Sequence, residues 1–204
     1  LCHYVAAMDP AFKRDAFGFA ICHATTDNRI VFDVLRRQQG TVECPLNPLG
    51  VLAEIADLCR KYKIAVVYSD QYHMETLQQL ALQLGFSIQG IPFTAANKAG
   101  IYGNLQQLLN QRRLVLLDDY ETLKELKRIE RTVTGGGNVQ ISAPSGEHDD
   151  MATVVALAAD NSIWMLPDKQ KPTAAMMLKR PVETPFQTCM KQIKRAHNSD
   201  MWLE

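Results

Sequence analysis

The chain has 204 residues, of which 47% are hydrophobic, and its 22 basic side chains balance its 22 acidic ones. This length fits one large domain or a domain with a tail, and the hydrophobic fraction is enough for a substantial core. A net charge of +0 excludes a globally basic surface, so any contact with a polyanion must come from local patches. The apolar runs are too short to span a bilayer. Because the sequence starts at Leu1 without a leader, we expect a domain excised from a longer protein.

The cysteines have neither the spacing of a metal site nor that of a disulfide framework. They occupy positions 2, 22, 44, 59 and 189, an odd number without any CxxC pair, and the five histidines are not at ligand spacing from them. We therefore expect reduced, mostly buried thiols and no structural zinc.

The first forty residues predict a meander of three antiparallel strands at 3–8, 15–24 and 29–37. Each segment is rich in apolar and β-branched residues. The connections are short, and Thr26-Asp27-Asn28 has turn chemistry. Sequential strands with such short links normally pair with one another.

The pattern then changes to helices that alternate with strands. Pro48 suits the first turn of a helix, and the unbroken apolar run 64–69 is typical of a central strand covered on both faces. The predicted helices are 48–62, 74–84, 95–112, 120–126 and 151–159, and the predicted strands are 64–69, 86–91 and 114–117. Segments 127–133 and 139–142 flank a glycine run and predict a hairpin.

This order of elements predicts an α/β fold with a ribonuclease H-like mixed sheet. A three-strand antiparallel meander is followed by parallel strands, and helices flank the sheet. We assign residues 1–160 to this domain and residues 161–204, which contain four widely spaced prolines, to a C-terminal extension or tail.

Acidic residues occupy the strand ends and the helix start where such a sheet collects ligands. Asp9 ends the first predicted strand, Asp70 ends the run 64–69, and Asp149 and Asp150 begin the last predicted helix. Each has a structural alternative: an Asp-Pro turn for Asp9, a helix cap for Asp70, and a favourable helix dipole for the pair. Crowded carboxylates repel one another unless protons or cations intervene. Together they predict a site for two Mg²⁺ or Mn²⁺ ions.

These motifs resemble the C-terminal nuclease domain of the large terminase subunit, the DNA-packaging protein of tailed bacteriophages. The resemblance extends from about residue 3 to residue 160. The matching segments are Met8-Asp9-Pro10, Gly18-Phe19-Ala20, Tyr68-Ser69-Asp70, Asn97-Lys98, Glu125-Leu126, the glycine hairpin and His148-Asp149-Asp150-Met151-Ala152.

The resemblance implies an endonuclease that cuts concatemeric double-stranded viral DNA with two metal ions. Asp9 would bridge both ions, and Asp70 and Asp150 would complete the catalytic set. Asp149 would be a further metal ligand or would lie just behind the ligands. The implied partners are a packaging ATPase domain, a portal protein and a small terminase subunit, in the host cell cytoplasm and without a membrane. The glycine run is not followed by Lys-Ser/Thr and is therefore not a P-loop.

Four further residues have open roles. His148 could orient a water or a carboxylate, or merely cap the helix. Lys98, in the family-like Asn-Lys pair, and Lys13 and Arg14, after Asp9, are candidates for DNA phosphate contacts or plain solvated charges. Two rival functions also stay open: another ribonuclease H-like enzyme, of the Holliday-junction resolvase or transposase type, and a noncatalytic interaction domain.

Overall fold

A computed structural model describes residues 2–12, 15–71, 74–133 and 139–167. Lys13, Arg14, the glycine run and the predicted tail beyond residue 167 lie outside these ranges. Within them, no helix is both long and apolar enough to cross a membrane.

The described residues form one sheet of six strands and a separate two-stranded ribbon. The strands are β1 (Tyr4–Asp9), β2 (Ala16–Ala24), β3 (Ile30–Gln39), β4 (Val66–Asp70), β5 (Ser87–Ile91), β6 (Leu114–Val115), β7 (Glu130–Val133) and β8 (Val139–Ser142). The sheet order is β5-β4-β1-β2-β3-β6. Strands β1, β2 and β3 pair antiparallel, whereas β4 pairs parallel with β1 and β5, and β6 pairs parallel with β3. The predicted ribonuclease H-like mixed sheet is confirmed.

The five α-helices of the described residues cover both faces of the sheet. They are α1 (Pro48–Tyr62), α2 (Met74–Gln83), α3 (Ala95–Asn110), α4 (Tyr120–Arg128) and α5 (Asp150–Ser162). One core cluster joins α1 and α2 to the sheet, and a second joins α3, α4 and α5 to the other face. Nearly every residue of α5 is buried. A helix that is apolar all round must lie inside the protein, and α5 accordingly packs between the sheet and its neighbouring helices.

Several element boundaries differ by a few residues from the sequence-based expectation, and so does the burial of the cysteines. Lys127 and Arg128 end α4 and do not begin the ribbon, because basic side chains favour the last turn of a helix. Helix α5 continues to Ser162, and Leu166 beyond it is buried, so packed structure extends past residue 160. The four cysteines of the described residues are free, but only Cys22 and Cys59 are buried, whereas the other two are exposed.

Gly18 allows α5 to approach the sheet closely. A Cβ built on Gly18 would lie 2.9 Å from Val154 Cγ2 and 3.3 Å from the backbone oxygen of Asp150. In the β1–β2 register, Gly18 lies opposite Asp9. Because Gly18 has no side chain, the start of α5 can lie over the end of β1.

Candidate active site

The parallel pairing of β1 and β4 places two of the predicted acids side by side. Ala7 is the register partner of Tyr68, so two residues further along Asp9 stands beside Asp70. Both residues end their strands and both are partly buried. Adjacent parallel strands present their carboxyl ends at the same edge of the sheet, as the sequence predicted for this pair.

The start of α5 brings the third acid to the same edge. Asp150 Oδ2 accepts a hydrogen bond of 2.9 Å from the backbone N–H of Ala16, at the beginning of β2. Asp150 is only 8% exposed. The bond fixes α5 against the strand that pairs with β1, at the position where Gly18 provides the space.

The electrostatics of Asp9 show that these acids lie close enough to interact. Burial, followed by the nearby charges of Asp150, Asp70 and Asp149, raises the pKa of Asp9 well above its ordinary value, and Lys98 opposes the shift. Burial is also the main cause that raises the pKa of Asp150, and the Ala16 hydrogen bond opposes it. Such a cluster favours protons or cations, as predicted from the sequence.

Lys98 contacts the cluster directly. Its Nζ lies 2.9 Å from Asp149 Oδ2, and both side chains are largely shielded from solvent. The ammonium group also lies 5.7 Å from the centroid of the Tyr102 ring, whose hydroxyl is 3.0 Å from Thr153 Oγ1 on α5. The sequence left Lys98 as either a DNA phosphate contact or a plain solvated charge and contained no sign of this ion pair.

His148 stands at the rim of the cluster. Its Nδ1 lies 3.4 Å from Asp15 Oδ1 and 4.0 Å from Asp150 Oδ2, and about half of its side chain, 46%, is exposed. The ring is therefore accessible to solvent while it faces two carboxylates, which suits a group that orients water or an acid.

Glu125 on α4, which belongs to one of the segments that carry the resemblance, had no predicted role in the site. Its Oε2 accepts hydrogen bonds from the backbone N–H groups of Met151 (2.7 Å) and Ala152 (3.1 Å), in the first turn of α5. Burial raises the pKa of Glu125 to about 7, partly opposed by these two bonds. One feature of the sequence could have indicated its importance. Glu125 is a charged residue on the buried face of an amphipathic helix, next to Leu126 and three residues after Thr122.

A polar groove of about 580 Å³ lies at the ends of β4 and β5, where Gln71 follows Asp70 in the chain. Its lining residues are Gln71, Met74, Glu75, Thr76, Gln78 and Gly90.

Within the described residues, no three His, Cys, Asp or Glu side chains are arranged as a ready metal-binding group. Asp149 Oδ2 contacts Lys98 and Asp150 Oδ2 accepts the Ala16 N–H, so a common ion would compete for these oxygens or bind the second oxygen of each carboxylate. The donor set nevertheless suits a hard divalent cation, because it offers only carboxylate oxygens and its members repel one another in the absence of a cation. The predicted DNA contacts Lys13 and Arg14 lie outside the described residues.

Neither a protein-family model nor a curated protein matches the chain. Solved structures do. The fold matches that of the large terminase nuclease of thermophilic phage G20c with a TM-score of 0.66 and 22% identity, over 77% of this chain and 81% of that one. The magnesium-bound form of that nuclease matches with a TM-score of 0.65 and 21% identity, over 78% and 80%.

A nuclease from another phage has the same fold. The large terminase nuclease domain of bacteriophage SPP1, with bound manganese, matches with a TM-score of 0.51 and 16% identity, over 78% of this chain and 86% of that one. At the level of fold, these structures confirm the resemblance to large terminase nuclease domains.

Proposed function

We propose that the chain is a metal-dependent endonuclease of a viral genome-packaging terminase, which cuts concatemeric double-stranded DNA. One observation carries the proposal: Asp9, Asp70, Asp149 and Asp150 come from three distant segments and interact electrostatically at one edge of the sheet. A stable fold gains nothing from such repulsion, so the presence of the cluster favours a functional role for it.

In this proposal, Asp9, Asp70 and Asp150 are the catalytic carboxylates and hold two Mg²⁺ or Mn²⁺ ions, with Asp149 as an additional ligand. When bound, the ions supply an activated water and stabilise charge on the phosphate. Oxygen-only donors favour these two metals over zinc. The magnesium and manganese seen in structures of the same fold support this choice.

The remaining residues of the site act on the substrate and on the acids. His148 faces Asp150 from the solvent side, which supports a role in orienting a water. Lys98 is the counter-ion of Asp149 in the metal-free protein. Metal binding to Asp149 would release Lys98 to contact a DNA phosphate. Lys13 and Arg14, which follow Asp9 in sequence, are proposed as further backbone contacts.

The wider setting follows from the same proposal. A terminase nuclease would work with a packaging ATPase domain, a portal protein and a small terminase subunit in the host cell cytoplasm. The balanced charge of this chain implies weak intrinsic DNA binding, so the partners would hold the DNA near the nuclease. Weak binding would also limit cutting while the DNA is being moved.

The direct test is incubation with supercoiled plasmid. We expect nicking and linearisation in Mg²⁺ or Mn²⁺, with little sequence preference, and complete loss of cleavage in excess EDTA. Asp9→Asn protein purified in parallel controls for contaminating nucleases. Cleavage that persists in EDTA would exclude the metal mechanism, and cleavage confined to a four-way DNA junction would favour the resolvase alternative.

A second prediction concerns Lys98→Ala. If bound metal releases Lys98 from Asp149, the variant should lower the log-log salt slope of DNA affinity by about 0.9 in divalent cation and leave it unchanged in EDTA. Fluorescence anisotropy with a short labelled duplex, checked afterwards for integrity on a gel, measures both slopes.

Lys124→Ala is the matched control for this experiment. It removes the same charge from a surface pair with Glu121 on α4 and should not change either slope. Equal slopes for Lys98→Ala and the wild type in the presence of metal would remove Lys98 from the DNA path.

A further inference from the structure

Helix α5 obtains its N-terminal cap from another helix. The Glu125 carboxylate on α4 accepts the backbone N–H groups of Met151 and Ala152 at 2.7 and 3.1 Å, both through the same oxygen. Glu125 is 6% exposed, so solvent cannot replace these bonds effectively. The acids Asp149 and Asp150 immediately precede the two residues that Glu125 holds.

Three other helices are capped locally. Asn47, Thr94 and Asp119 precede α1, α3 and α4, and each accepts an N–H of the helix that it begins. The residue before α5 is Asp149, a good capping type, yet its side chain makes no capping hydrogen bond and pairs with Lys98 instead. Glu125 therefore accepts the backbone hydrogen bonds that the Asp149 side chain would accept if it capped α5.

The position of Glu125 is electrostatically unfavourable, which argues against a purely stabilising role. Asp150 lies near enough to raise the pKa of Glu125, in addition to the larger effect of burial, while the Arg37 charge and the two backbone bonds oppose the shift. A neutral serine or threonine at the helix start would cap α5 without adding a fifth acid to the four of the cluster.

We propose that Glu125 is a positioning residue of the active site, which fixes the start of α5 so that Asp149 and Asp150 face Asp9. It acts through the backbone of Met151 and Ala152 and does not itself touch the reacting groups. The inference rests on the proposed nuclease function. Groups that orient metal ligands from behind typically affect metal affinity or activity by about 10- to 100-fold.

Three variants of Glu125 distinguish the effect of the position of its acceptor oxygen from the effect of its charge. Glu125→Ala removes the acceptor, Glu125→Asp keeps the charge but retracts it by one methylene, and Glu125→Gln keeps an acceptor oxygen at full length without the charge. The measurements are Mn²⁺ affinity by calorimetry, the Mn²⁺ concentration for half-maximal plasmid cleavage, and melting temperature. We expect Glu125→Ala and Glu125→Asp to weaken Mn²⁺ binding by about 10-fold or more, and Glu125→Gln to stay within a few-fold of the wild type.

Asn47→Ala is the matched control, because it removes the cap of α1 on the opposite face of the sheet. It should lower the melting temperature without changing Mn²⁺ binding. If Asn47→Ala weakens Mn²⁺ binding as much as Glu125→Ala, the effect is one of general stability and the inference is wrong.

The remaining outcomes also decide the matter. Wild-type affinity and cleavage in Glu125→Ala and Glu125→Asp would overturn the inference while the proposed function stands. If Glu125→Ala does not fold, Glu125→Asp decides alone. A wild-type protein that neither binds Mn²⁺ nor cleaves DNA would contradict the proposed function, and the role of Glu125 in it would fall with that result.

Discussion

Replacement of Asp9, Asp70 or Asp150 by asparagine is expected to lower DNA cleavage by a factor of about 100 or more. Each substitution keeps the size of the side chain but removes a charge that the proposed cations require. Initial rates on supercoiled plasmid in Mg²⁺ and in Mn²⁺ measure the effect, and circular dichroism checks the fold.

Asp57→Asn is the control for this series. Asp57 is an exposed acid that pairs with Arg60 on α1, on the face of the sheet opposite α5, so its substitution should leave the cleavage rate unchanged. Wild-type cleavage by Asp70→Asn would contradict the assignment of the acid on β4, even if the other two variants behave as expected.

Metal-free protein is expected to lose stability as the pH rises from about 4.5 to about 7. The folded-state pKa of Glu125, about 7, exceeds its ordinary value of 4.5, because burial disfavours the charged form. The folded chain therefore binds more protons than the unfolded chain in this window, so the free energy of unfolding falls with rising pH. The pKa values of Asp9 and Asp150 are raised as well and contribute in the same direction.

The size of this effect can be bounded from Glu125. Its contribution is on the order of 3 kcal/mol at most, or roughly 6 to 12 °C in melting temperature for a domain of this size. Melting curves in EDTA at pH 5 and pH 8 measure it. At pH 8, divalent cation should raise the melting temperature of the wild type. The same addition should raise the melting temperature of Asp9→Asn much less. A melting temperature that rises with pH in EDTA would be the contrary result.

The strand ends of the site could be predicted because they depend on local patterns. The apolar runs that end in Asp9 and Asp70 identify two strands, and the parallel geometry of such sheets places their carboxyl ends together. The apolar stretch after Asp150 identifies a buried helix whose first turn carries acids. Local periodicity and general topology are sufficient for these three positions.

The contacts within the site could not be predicted, because they depend on how distant helices pack. The Lys98–Asp149 pair joins α3 to the start of α5, and Glu125 reaches the same helix start from α4. Spacing along the chain contains no information on either distance. A sequence pattern can show that Glu125 lies on an apolar helix face, but not which N–H groups it meets there.

The division of the proposed site between β1 and α5 has a consequence for the time at which this site can assemble. Ala16 and Asp150, which join the two parts, are 134 positions apart in the chain. During synthesis, the strands and α1 emerge from the ribosome well before α5. A chain at that stage has Asp9 and Asp70 but lacks the acids of α5, whose docking requires closure of a long loop. Under the proposed function, the nascent chain cannot cleave DNA until α5 has emerged and packed against β1 and β2.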